Sequence, residues 1–325
     1  MYGVRILPSP PRQFLIGMTR VVIVYDMTSI FADNFPLIST QQELDSLKEK
    51  YPSCDEYYVA SGSISERREK FDRLYQKYQP YADRHFLSEV RKQFHQRTWE
   101  MYLGCTLLER GIPISSKDEG PDFLIENEKK IWVECIACTK GSDSSDDRVP
   151  PMAYGVVQSI PEDEMCLRLV SALYKKFDAY KTYLKKGLVA ESDIFIIAVN
   201  SGDFGYLADG VIPLILKCLF DIGYPTISVP IGGGESKHGW SRREYIEKKN
   251  GSKVPMDFFL DAVHKGISGV LYDGNNILNH TEILGKDIIR VNNPIAKNPF
   301  PKDVLGFLQG YHFDPSALEW SLKLS

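Results

Sequence analysis

A mixed α/β protein, with one sheet flanked by helices, is the fold class this sequence predicts. Stretches with apolar residues at helical spacing alternate along the chain with short strand-like runs. One of these, "DIFIIAVN" (residues 193–200), has no polar residue between its ends, the pattern of a strand buried on both faces. Residues 83–200 run in the order helix, hairpin, helix, strand, which sets helices against a shared sheet.

The composition suits that class. A chain of 325 residues with 43% hydrophobic and 25% charged residues can bury a large core. The formal net charge of −4 argues against a uniformly basic surface but leaves room for a local basic face. Six irregularly spaced cysteines do not make a disulfide framework, so a reducing, cytoplasmic setting is expected. No apolar run reaches the roughly 18 residues of a membrane span, and no membrane partner is expected. Arg20 and Asp26 make "FLIGMTRVVIVYD" read as a strand, Val21 to Tyr25, in place of a signal segment.

Three regions follow. Residues 1–82 form an N-terminal strand and helical extension, with Ser65 as the N-cap of a helix that Pro80 stops. Residues 83–200 form the core. A helix from about Asp83 to Arg110, ended by Gly111, carries two apolar stripes and must therefore be packed on both sides. Strands Pro121–Ile125 and Ile131–Cys138 flank the polar "ENEKK", and a helix of about Asp163 to Lys186 stops before Gly187. Residues 201–325 form a C-terminal α/β extension packed on the core. It has a helix at Ile212–Ile222, a strand "PTISVPI", a Gly-rich basic loop, a helix "PMDFFLDAVHKG", a strand "ISGVLYDG" and a Pro-rich segment covering a sheet edge.

Within "GPDFLIENEKKIWVECIACTKG" (residues 120–141) two pairs compete for chemistry. Cys135 and Cys138 are three apart on a strand, so they face opposite ways and cannot share an ion. No second Cys-x-x-Cys completes a zinc site. The carboxylates fare better. With a hairpin loop at Asn127, Glu128 and Lys129, paired residue numbers sum to 256, and Asp122 falls opposite Glu134. Directly opposed residues have Cβ atoms about 5 Å apart. Carboxylates that close on an apolar strand repel unless a cation joins them, and Mg²⁺ (or Mn²⁺) suits oxygen ligands.

A helix bearing Glu100, then "GPDF", a turn and "WVECIA", resembles the PD-(D/E)XK, or restriction-endonuclease-like, nuclease superfamily. The resemblance spans about 120 of the 325 residues and implies an αβββαβ core. It implies a metal-dependent nuclease acting on nucleic acid, DNA ahead of RNA. Asp122 and Glu134 would be the metal ligands, Glu100 the acidic residue of the first helix, and a homodimer the working form. One position departs: the expected lysine, two residues after Glu134, is Ile136.

Some members of the superfamily take that lysine from the following helix. Along 163–186, at about 100° per residue, Leu169, Leu173, Phe177, Tyr180 and Leu184 make the buried stripe. Lys176 lies about 60° from its centre and Lys175 nearly opposite it. Lys176 is thus the candidate, with Lys140 second. Arg242, Arg243, Lys248 and Lys249 are candidate phosphate contacts. Ile136 and the negative charge also leave a second reading open, a nuclease-like fold that has lost catalysis and acts as a binding or scaffold protein.

Overall fold

The computed structural model describes residues 29–31, 33–116, 119–153, 155–206, 212–300, 302–313 and 322–324. The expected strand at Val21–Tyr25 lies outside them. Five helices come first: α1 (Gln41–Lys50), α2 (Glu56–Ser63), α3 (Ser65–Tyr78), α4 (Phe86–Val90) and α5 (Phe94–Glu109). The hairpin β1 (Phe123–Ile125) and β2 (Ile131–Ala137) leads to the long helix α6 (Glu162–Lys186) and strand β3 (Ile194–Asn200). Next come α7 (Leu214–Leu219), β4 (Ile222–Ser228), β5 (Lys237–Arg242), β6 (Tyr245–Glu247), β7 (Lys253–Pro255) and β8 (Gly269–Asp273). The chain ends through β9 (Ile289–Asn292), α8 (Lys302–Leu305), β10 (Gln309–Phe313) and β11 (Leu322–Leu324).

Seven strands form one mixed sheet in the order β1-β2-β3-β8-β9-β10-β11. Parallel pairing joins β2 to β3 and β3 to β8, while β1 is antiparallel to β2. The region after residue 200 thus extends the sheet of the region before it. The central strands are buried on both faces, as parallel strands covered by helices must be. Their side chains alternate between two cores. Val133, Cys135, Ile196 and Ala198 join the core beneath α5, and Trp132, Ile136, Ile197 and Val199 join the one beneath α6.

Helix α5 is enclosed on all sides, with twelve of its residues buried. The indole of Trp99 donates to the carbonyl of Ala198 (3.1 Å), tying the helix to β3. The expected single helix from Asp83 to Arg110 is broken at 91–93. There the Asp55 amide donates to the carbonyl of Arg91 (2.7 Å), and the Asp55 carboxylate takes the amide of Phe94 (3.2 Å). An outside residue has thereby claimed the backbone groups that a continuous helix needs. The carboxylate cap at α5's start also complements the helix dipole.

Helix α6 ends as expected at Gly187, in the left-handed conformation (φ 70°) that glycine adopts without strain. Acids fill its first turn and lysines its last. Other expectations are corrected. Ile64, not Ser65, precedes α3, and the Ser65 hydroxyl donates to Glu69. "PMDFFLDAVHKG" forms only a short 3-10 turn at Ala262–His264, because the amides of Phe258 and Phe259 are tethered to the carbonyls of Cys218 and Leu219. The strand expected at "PTISVPI" is met in part by β4, and the Gly-rich basic loop after it supplies β5, which pairs with β4, and the small hairpin β6–β7. The residues Arg290–Asn292 of the Pro-rich segment lie inside the sheet as part of β9.

Gly104 on α5 faces the Tyr78 ring, where an added Cβ would come within 2.7 Å of a ring carbon. Glycine in a helix ordinarily loses up to about 1 kcal/mol to alanine. Here the buried Tyr78 cannot move aside, so Gly104→Ala should destabilise by about 1–3 kcal/mol, reversing the usual sign. Urea denaturation measures it, and a stabilised variant contradicts this packing.

Candidate functional site

The hairpin register fixes the first carboxylate pair. Phe123 pairs with Val133, Leu124 with Trp132 and Ile125 with Ile131, so paired numbers sum to 256 as the sequence predicts. Asp122 lies one residue before β1, opposite Glu134. Its Oδ2 accepts the amide of Cys135 (2.6 Å), so the carboxylate lies along the strand edge and completes the ladder where β1 stops.

Glu134 is buried and points toward α6. Lys176 Nζ donates to its Oε1 at 2.7 Å, and the Tyr183 hydroxyl lies 3.3 Å from both carboxylate oxygens. Residues 176 and 183 are seven apart, two helical turns, so they share one face of α6. Lys140 does not take that place. It lies past the end of β2, its amide donating to Asp203 (3.4 Å).

On the other face of the sheet, Glu100 is buried on α5. Its Oε1 accepts the Tyr78 hydroxyl (2.8 Å), and its Oε2 accepts from Arg97 (2.9 Å). Arg97 also bonds Asp83 (2.9 Å) and Glu89. The structure thus gathers Glu100, Asp122, Glu134 and Lys176 around the uncovered end of the hairpin. Arg97, Tyr78 and Tyr183 belong to the same cluster and had not been singled out. The spacing of Tyr183 from Lys176, and of Arg97 from Glu100 at one helical turn, was the available signal.

The charges do not cancel. Five carboxylates (Asp83, Glu89, Glu100, Asp122, Glu134) surround two cations (Arg97, Lys176). Burial and the charge of Asp122 push the Glu134 carboxyl up to about 7, with Lys176 opposing. Burial and Asp122 likewise push Glu100 up to about 8 against Arg97 and Tyr78. Burial raises Asp122 too, with Lys176 and the Cys135 amide opposing. For Lys176, burial works against the ammonium, yet Glu134 and Asp122 outweigh it and hold its pKa above the ordinary value. Acids and base therefore shift the same way, toward keeping protons. For the acids burial is the largest cause, with Asp122 adding to it at Glu134 and Glu100; for Lys176 the neighbouring carboxylates are the cause.

Asp122 and Glu134, once deprotonated, offer oxygen ligands of the kind a hard divalent cation takes. Among the described residues, no three His, Cys, Asp or Glu side chains form a ready-made metal cage. Mg²⁺ is commonly held by one or two carboxylates, with water and substrate phosphates filling the rest.

The other candidates separate clearly. Cys135 belongs to the core beneath α5 and Cys138 to the one beneath α6. Burial pushes both thiols up, Cys138 to about 12. Arg242 is committed to Asp221, and Arg243 to Glu162 and Asp163. Lys249 is exposed and Lys248 partly so. Among the described residues no helix is long and apolar enough to cross a membrane. Compared with models of known protein families, with curated proteins and with solved structures, the chain matches none.

The raised carboxyls give stability a pH signature. Folded Glu134 keeps a proton that the unfolded chain releases above about pH 4.5, and it yields that proton only near 7; Glu100 does so near 8. The folded state binds more protons across that window, so stability falls as pH rises through it. Glu134 alone should account for on the order of 3 kcal/mol. Denaturation in chelator at about pH 5 and about pH 8 checks this. Glu134→Gln should show a shallower decline, and a wild-type stability that climbs over the same interval contradicts the charge balance.

Proposed function

We propose that this chain is a metal-dependent nuclease, hydrolysing phosphodiester bonds in nucleic acid on a restriction-endonuclease-like core. The observation that carries the reading is Lys176 Nζ at 2.7 Å from Glu134. The side chain lacking at Ile136 has a counterpart delivered from α6 to the same carboxylate. The order of elements supports it. Ser115 bridges Leu124 in antiparallel fashion. If that bridge counts as a vestigial first strand, then α5, Ser115, β1, β2, α6 and β3 read α-β-β-β-α-β.

Asp122 and Glu134 would hold Mg²⁺ or Mn²⁺, and the ion would supply Lewis-acid neutralisation of phosphate charge and a more acidic water. The chain's own groups do the positioning. Tyr183 fixes the rotamer of Glu134. Lys176 places a full positive charge beside that carboxylate, where it can stabilise charge developing on a phosphoryl oxygen. Arg97 and Tyr78 hold Glu100 behind Asp122. DNA is preferred over RNA in this reading, with a homodimer as the working form.

One observation favours the second reading, a scaffold with a retired site. Lys176 and Tyr183 together occupy the Glu134 oxygens, as they would in a purely structural ion pair. A Mg²⁺-dependent cleavage assay on plasmid and single-stranded DNA separates the two. The nuclease reading expects cleavage by the wild type and none by Asp122→Ala/Glu134→Ala. It also expects Mg²⁺ or Mn²⁺ to raise the wild-type melting temperature and not that of the double variant. Cleavage that survives the double substitution overturns the site; absence of both cleavage and metal stabilisation establishes the scaffold.

A further inference from the structure

Strand β1 covers only Ile131, Val133 and the residue between them, so β2 from Glu134 onward has no strand partner on that edge. Two side chains stand in. Asp122 takes the Cys135 amide, and Gln96 does the rest: its Oε1 accepts the amide of Ala137 (2.7 Å) and its Nε2 donates to the carbonyl of Cys135 (3.3 Å). Just past this edge a cleft of about 310 Å³ opens between the start of α5 and the N-terminal half of α6, floored by Ile136 and Ala137. Ile136 is two residues from Glu134, about 7 Å along a strand. The cleft therefore lies beside the carboxylate cluster, with Ile136 on the same face of β2 as Glu134.

The cleft's charge is opposite to that of the site. Lys92, Arg168 and Lys175 line it against one acid, Asp55. Both Asp55 oxygens are occupied by backbone amides, those of Tyr57 and Phe94. Arg168 is held on the Thr139 carbonyl and hydroxyl and is ion-paired with Asp147 (3.5 Å), which leaves Lys92 and Lys175 as the cleft's free charges among the described residues. Lys92 and Lys175 are exposed, and neither has an ion-pair partner among the described residues. Lysines 175 and 176 are neighbours with different aims, one on the cleft and the other on Glu134.

We propose that this cleft holds a single strand of the substrate next to the scissile phosphate, with Lys92 and Lys175 gripping its backbone. The proposal rests on the nuclease reading and adds the substrate class. A duplex, whose major groove alone is about 12 Å wide, does not fit a notch of this volume. An unpaired strand does, and two exposed ammonium groups beside a strand edge suit a phosphate backbone whatever its bases.

The experiment measures binding of a labelled single-stranded oligonucleotide of about 15 nucleotides and of a matched duplex, by anisotropy across a salt series. Cleavage kinetics follow on the same substrates. Lys92→Ala/Lys175→Ala removes the charges at exposed positions, and Ser171→Trp fills the cleft without touching charge. Both variants should bind single strand about tenfold more weakly, with KM rising more than kcat falls. The lysine variant should also lose about 1.4 from its log–log salt slope, the share of two phosphates. Cleavage by the wild type with both variants unaffected overturns the cleft while leaving the nuclease reading intact. Equal losses for duplex and single strand overturn the substrate class. Binding that depends on Lys92 and Lys175 without any cleavage supports the cleft and sinks the nuclease. A wild type that binds neither form overturns both.

Discussion

The shortness of β1 is the constraint on which the site depends. A three-residue strand cannot satisfy the hydrogen bonds of a seven-residue neighbour, and unpaired backbone at a buried edge is expensive. The chain resolves this with side chains, Asp122 and Gln96, bonded to β2 where β1 has ended. Using a carboxylate for that purpose brings a negative charge beside Glu134 and within reach of Glu100. The cations Lys176 and Arg97 follow from it, since each lies on a covering helix where it meets one of those acids. Backbone accounting at one strand edge thus generates an electrostatic cluster spanning both faces of the sheet.

That cluster is costly as structure alone. Buried carboxylates held to pKa values of about 7 and 8 work against folding at neutral pH. Apolar replacements of similar volume often stabilise such positions. Under the proposed function, a divalent ion held by Asp122 and Glu134 would offset that cost.

Much of this was legible in the sequence, and the reasons are specific. The register of Asp122 against Glu134 followed from loop length, because antiparallel pairing depends on little else. The opposed thiols followed from strand alternation. Lys176 followed from a helical wheel, since α6 is long and regular. What escaped depended on contacts between distant residues. The break before α5 comes from Asp55, some forty positions away, and local periodicity cannot show it. The failure of "PMDFFLDAVHKG" to form a helix has the same origin in α7. Gln96 is a polar residue on a helix that reads as an ordinary exposed position; only the missing length of β1 gives it a role. The basic arginines at 242 and 243 looked free because their acids lie more than twenty and about eighty residues away.

The central claim is that Lys176 stands in for a lysine absent at Ile136, and relocation is directly testable. The measurement is the Mg²⁺-dependent cleavage rate of Lys176→Met and of Ile136→Lys/Lys176→Met. The account predicts that the single variant loses about 10²-fold or more and that the double variant regains a substantial part of it. A Lys176→Met variant that cleaves at the wild-type rate would contradict the account.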